Sequence, residues 1–154
     1  MSNLSKQQAI EVVTQFLGES SPGYYVTLNA RTSDVIKFTN QLNQIANWLN
    51  EYCYGARFRR GKIRLKIVTS PEFGEFNGGL HAHLVVTHDT TMKRTYQEIN
   101  AFIRKKWYRL IEAKGSVFGT MVDVTELYDV RGAVGYSLED FYKYSRDGIK
   151  VTFL

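Results

Sequence analysis

The sequence predicts an α+β domain built around an antiparallel sheet, and three observations carry that expectation. Its 154 residues suffice for one domain with a core of its own. Short β-branched and aromatic runs alternate with two long amphipathic segments in the order β-α-β-β-α-β. The run LHAHLVVT at 80–87 has the two-residue alternation of a strand. Leu80, Ala82, Leu84 and Val86 form an apolar face for burial under helices, while His81, His83, Val85 and Thr87 share the other face.

In chain order, residues 4–17 read as a helix with apolar positions at 9, 10, 13, 16 and 17. Residues 1–20 are expected as a helical appendage to a single domain spanning 1–154. Residues 24–29 (YYVTLN) give the first core strand. Ser33 or Asp34 can cap a helix running to about Tyr52, with Val35, Phe38, Leu42, Ile45, Leu49 and Tyr52 as its apolar stripe. The segment 57–66 carries six basic residues in ten positions: Arg57, Arg59, Arg60, Lys62, Arg64 and Lys66. Its alternation from Lys62 predicts a strand with one basic and one apolar face, whose open side meets a polyanion.

Asn77, Gly78 and Gly79 signal a tight turn, folding the preceding segment back beside residues 80–87. Thr90 or Thr91 caps a second long helix to about Ala113, with Met92, Tyr96, Ile99, Ile103 and Leu110 inward. Residues 117–125 give the next strand and residues 149–154 a possible last one. Between them, residues 131–144 form a helix with Val134, Leu138 and Phe141 buried. Tyr136 falls on its opposite side, with Lys143 two turns on and almost in line. This order is the ferredoxin-like (RRM-like) pattern, an antiparallel central sheet with helices packed on one face.

The histidine face carries the chemistry. His81 and His83 stand roughly 7 Å apart along the strand, close enough for both to ligate one ion. The turn brings Glu72, or Glu75 as the alternative, to the same end of the sheet. Two imidazoles and a carboxylate suit a divalent ion such as Mn²⁺, Mg²⁺ or Zn²⁺. His88 lies on the opposite strand face. The net charge of +5 and the 14% aromatic content fit a polyanionic partner with bases to stack. No apolar run approaches 18 residues, no secretory signal is visible and Cys53 is the single cysteine, so the expected setting is cytoplasmic, with no membrane partner.

Read together, these motifs resemble the HUH endonucleases, and most closely the rolling-circle replication initiators (Rep proteins) of small plasmids and single-stranded DNA viruses. The first motif is matched by YVTLN at 25–29 and the second by His81, Ala82 and His83, with Glu72, Phe73 and Gly74 upstream. The third, a tyrosine after a small-residue turn, is matched by GAVGY at 132–136. The resemblance covers roughly residues 24–145 and implies an HUH-type nuclease domain.

It further implies a metal-dependent, sequence-specific endonuclease that nicks and joins single-stranded DNA through a covalent 5′-phosphotyrosine. Tyr136 would be the nucleophile and Lys143 its helper. Glu72, His81 and His83 would hold Mn²⁺ or Mg²⁺. Arg57, Arg59, Arg60, Lys62, Arg64, Lys66 and Arg131 would bind DNA. The implied partners are an origin hairpin and the host replication machinery, in a prokaryotic or virus-infected cell, with the enzyme a monomer or dimer. A phenol, with an ordinary pKa of about 10, needs such help at neutral pH. The sequence departs from the family where a lysine is usual three residues after the tyrosine, a position held here by Glu139, and Asp140 fills the slot of a second tyrosine. Tyrosine after histidines excludes the conjugative relaxases and leaves single-tyrosine transposases as an alternative, beside a non-catalytic single-strand binder of the same fold. No P-loop is present.

Overall fold

The computed structural model of the chain describes residues 4–30, 32–74, 79–112, 122–144 and 150–154. They form an α+β fold with a five-stranded antiparallel sheet. Its elements are α1 (Lys6–Leu17), β1 (Gly23–Asn29), α2 (Val35–Tyr54), α3 (Ala56–Arg59), β2 (Lys66–Phe73), β3 (Leu80–Thr87), α4 (Tyr96–Leu110), β4 (Val122–Glu126), α5 (Val130–Tyr144) and β5 (Thr152–Phe153). The strand order is β4-β1-β3-β2-β5, the ferredoxin-like arrangement with a short fifth strand added beside β2. The expected turn at 77–78 and most of the strand expected at 117–125 lie outside the described residues. So does the start of the strand expected at 149–154.

One face of the sheet meets the helices that the sequence pattern supplies. Val26, Leu28, Ile67, Leu80, Ala82, Leu84 and Val86 turn toward α2 and α4 and are buried with Phe38, Ile45, Ile103 and Trp107. Asp34 caps α2 by accepting a hydrogen bond from the Lys37 amide at 3.1 Å. The cap of α4 is Thr95 rather than Thr90 or Thr91. A reciprocal box with Glu98 outcompetes the earlier threonines, whose segment instead turns around Asp89.

The other face is not left open, which corrects the expectation of helices on one side only. α1 and α5 pack across it, burying Ala9, Val13, Leu17, Val130, Val134 and Leu138 against Val68 and Val85. The segment expected as an appendage is therefore one wall of a second core. The apolar stripes of both helices need a surface, and β2 and β3 offer valines there. Arg131 on α5 bonds Glu11 from α1 and Glu19 from the loop after it, both at 2.9 Å, and the Thr87 hydroxyl donates to the Leu17 carbonyl at 2.7 Å. The cover stops short of β4, where Asp123 and Thr125 remain exposed on the same face.

The basic segment also departs from expectation. Residues 56–59 form the short helix α3, and β2 begins only at Lys66. Lys62 and Arg64 are exposed and Leu65 is buried, so the alternation exists, but its backbone is not in the sheet. The Leu65 amide is held by the Asn50 side chain at 2.7 Å, and Asn50 in turn donates to the Ala46 carbonyl at 3.0 Å. Asn50 is wholly buried. Removing it strands a buried amide, so Asn50→Ala should destabilise the chain by about 2 kcal/mol in urea unfolding at unchanged slope.

Candidate metal centre

The antiparallel register of β2 and β3 places Glu72 opposite His81 and Ser70 opposite His83. On the far side β1 places Thr27 opposite His83 and Asn29 opposite His81. Strand alternation puts Glu72, His81, His83 and Thr27 on the face shared with α5. The sequence-predicted ligands thus converge. One carboxylate oxygen of Glu72 meets Nε2 of His81 and, at 3.0 Å, Nε2 of His83. One donor atom from each of the three residues lies within 4.8 Å of the others. Glu75 lies outside the described residues.

Glu72 is 5% exposed. Burial by itself pushes its carboxyl upward, but hydrogen bonds and charge from His81 and His83 outweigh it and hold the group at about 2. Its second oxygen, Oε2, is buried without a hydrogen-bond partner, as is the neighbouring Ser70 hydroxyl. An ionised carboxylate with an orphaned lone pair beside two imidazole nitrogens is the donor set of a divalent-ion site, and the residues fit one.

Tyr136 completes the group. Val134 and Leu138 anchor α5 in the second core, and Asp129 caps the helix by accepting from the Gly132 amide at 3.0 Å. A Cβ at Gly132 would lie 2.3 Å from that cap carboxylate, so a larger residue there would make the Asp129 side chain turn aside and loosen the cap. Held this way, Tyr136 lies with its ring 6.0 Å from both the His83 ring and the Tyr25 ring, yet it is 65% exposed. The site is thus a shelf at the border between the covered and uncovered parts of the sheet. A cavity of about 140 Å³ lined by Phe38, Leu42, Pro71, Leu80 and Lys150 belongs to the α2 side, not to this shelf.

Other expected site residues are placed elsewhere. Lys143 is exposed two turns further along α5, about 10 Å on by helical rise. Arg131 is spent on its two glutamates, whose hydrogen bonds hold its guanidinium protonated. Lys66 sits six residues from Glu72, roughly 20 Å away along β2. The cluster of Arg57, Arg59, Arg60, Lys62 and Arg64 is at that far end too. There Arg57 donates to the Thr91 hydroxyl at 3.0 Å and Arg59 pairs with Glu51. His88 packs against Tyr24 and bonds the Asp89 carbonyl, apart from the cluster.

Sequence reasoning missed Thr27 and Tyr25 as site residues. Thr27 Oγ1 is 3.1 Å from His83 Nδ1, and the Tyr25 ring stacks on the His83 ring at 5.7 Å. Their shared strand parity was legible, but the β1–β3 register that makes them neighbours of His83 was not.

No family model matches this chain, and neither a curated protein nor a solved structure matches it. Among the described residues, no helix is long and apolar enough to cross a membrane.

The geometry predicts uptake of one Mn²⁺ per chain in calorimetric titration. His83→Ala should abolish the binding isotherm, as should Glu72→Ala, while Tyr136→Phe leaves it unchanged.

Proposed function

We propose that the chain is an HUH-type, single-tyrosine endonuclease that nicks and rejoins single-stranded DNA in the manner of a rolling-circle replication initiator. One observation carries this reading above the others. An exposed tyrosine stands with its ring 6.0 Å from a histidine of a Glu-His-His cluster whose carboxylate is buried. Packing alone explains poorly why a large ring 65% exposed should stand there.

In this reading a scissile phosphate lies on the shelf between Tyr136 and the cluster. The Tyr136 oxygen forms the new bond to phosphorus and gives up its proton to solvent. The bond from phosphorus to the 3′-oxygen breaks, and that oxygen takes up a proton to leave as a 3′-hydroxyl. The 5′-phosphate remains on the tyrosine, so the phosphoester is conserved and the step can be reversed to rejoin strands. A divalent ion held by Glu72, His81 and His83 would supply charge neutralisation at the phosphate. Lys143, two turns beyond Tyr136 on α5, would be the cation that orients the phosphate. It takes the place of the lysine that Glu139 displaces.

The basic far end of the molecule would hold the flanking nucleic acid by its phosphates. The aromatic rings beside it are already occupied. Tyr52 lies between the Arg94 guanidinium, 4.0 Å from its centroid, and the Phe102 ring, stacked at 4.1 Å. Lys106 sits between Phe102 and Trp48, at 5.7 and 5.1 Å. With both faces of Tyr52 covered, contact there is with the backbone and not with bases, which makes it strongly salt-dependent.

The test is incubation with single-stranded oligonucleotides from candidate origin hairpins, with and without Mn²⁺, read on denaturing protein gels. A metal-dependent upshift of one oligonucleotide mass, absent from Tyr136→Phe, supports the nickase. Binding without an adduct on any candidate strand would favour the non-catalytic single-strand binder. For the far end, the triple variant Arg60→Ala, Lys62→Ala, Arg64→Ala should lower the slope of log affinity against log salt by about 2 to 3. Arg131→Ala should leave that slope unchanged.

A further inference from the structure

The two histidines of the cluster are not held alike. His83 is gripped from β1 as well as from β2. Thr27 stands directly opposite it in the β1–β3 register, with Oγ1 3.1 Å from Nδ1. On the other side of the ring, Nε2 lies 3.0 Å from the Glu72 carboxylate. The Tyr25 ring lies against the imidazole at 5.7 Å and within 23° of parallel. Both nitrogens and one ring face are therefore engaged, and a flip of the ring would lose both nitrogen contacts.

We propose that Thr27 is a positioning residue for the metal centre, one whose hydroxyl sets the ring orientation of His83 and satisfies Nδ1 in either tautomer. The proposal rests on the reading of Glu72, His81 and His83 as an ion site, and its physical core is the two-way character of a hydroxyl. Without an ion, neutral His83 donates its Nε2 proton to the Glu72 carboxylate, and the bare Nδ1 accepts from the Thr27 hydroxyl. An ion at Nε2 needs the lone pair there, so the single ring proton moves to Nδ1 and is donated to the Thr27 oxygen. A hydroxyl serves both states by rotating about its own C–O bond. No backbone carbonyl can do so, because a carbonyl only accepts, and no apolar side chain can serve either state. Thr27 thereby keeps Nε2 aimed at Glu72 with and without the ion, so uptake needs no movement of the ring.

Valine has the same shape as threonine and suits a strand, so Thr27→Val removes the hydroxyl without disturbing β1; Thr27→Ser restores it. Two measurements decide the matter. The first is calorimetric titration with Mn²⁺ alone. Thr27→Val should bind about 10- to 100-fold more weakly than the wild type, with Thr27→Ser recovering most of the loss. The second is the NMR spectrum of the histidine rings in the metal-free protein at mildly alkaline pH. His83 should give one sharp set of ring resonances in the wild type and in Thr27→Ser, and a broadened or doubled set in Thr27→Val as the ring takes up a second orientation. Unchanged affinity together with unchanged His83 ring resonances in Thr27→Val would overturn the proposal. If the wild type takes up no divalent ion, the metal-centre reading itself falls. The ring comparison then decides alone, unchanged His83 resonances overturning the role of Thr27.

Discussion

A carboxylate as buried as Glu72 stays ionised only if something compensates the water it has lost, and here two histidines supply the compensation. The pairing is a consequence of register. Glu72 stands opposite His81, and the alternation of β3 returns His83 to the same face two residues later. A slip of one residue between β2 and β3 would send the imidazoles into the apolar layer under α2 and α4 and strand the carboxylate on the other side. The register is fixed from the opposite face, where Ile67, Leu80, Ala82, Leu84 and Val86 leave no room for a polar group. The ordinary core thus holds the unusual cluster in place.

The second constraint is the layer that α1 and α5 add over the histidine face. It covers Val68 and Val85 and stops before Asp123 and Thr125. The cluster sits at that boundary, buried enough to strengthen charge and open enough to be reached by a large substrate. α1 matters to the chemistry through α5. Glu11 on α1 and Glu19 just after it take Arg131, the Leu4 carbonyl just before α1 accepts from the Tyr142 hydroxyl at 3.3 Å, and the helix that bears Tyr136 is tied at both ends. Charge is distributed in the opposite sense. The uncovered part of the sheet near β4 presents Asp123, and the basic residues gather roughly 20 Å away at the start of β2. The proposed polyanion contact and the proposed phosphate chemistry would therefore occupy separate places on one molecule.

Much of this is legible in the amino-acid sequence. The alternation at 80–87 gave both the buried apolar set and the histidine face, and the stripe of α2 was clear from spacing alone. Glu72, His81, His83 and Tyr136 could be singled out by residue type and position. What could not be read were the relations set by tertiary pairing. The second helical layer was invisible because the stripe of α1 does not say which face of the sheet it covers. Residues 62–66 alternate like a strand, yet a buried Asn50 side chain satisfies the Leu65 amide and competes with sheet pairing. Trp107, wholly buried on α4, was passed over because its flanking charges mask the stripe. Arg131 looked like a DNA contact because its partners are more than a hundred residues away.

The central claim is that Glu72, His81 and His83 hold a divalent ion beside Tyr136. The most direct test is a crystal grown or soaked with Mn²⁺, with anomalous scattering measured at the manganese edge. The account predicts a single strong peak bounded by a Glu72 carboxylate oxygen and the Nε2 atoms of His81 and His83, on the side facing the Tyr136 hydroxyl. A peak elsewhere, or none at this cluster in a crystal whose other sites take up manganese, would contradict it.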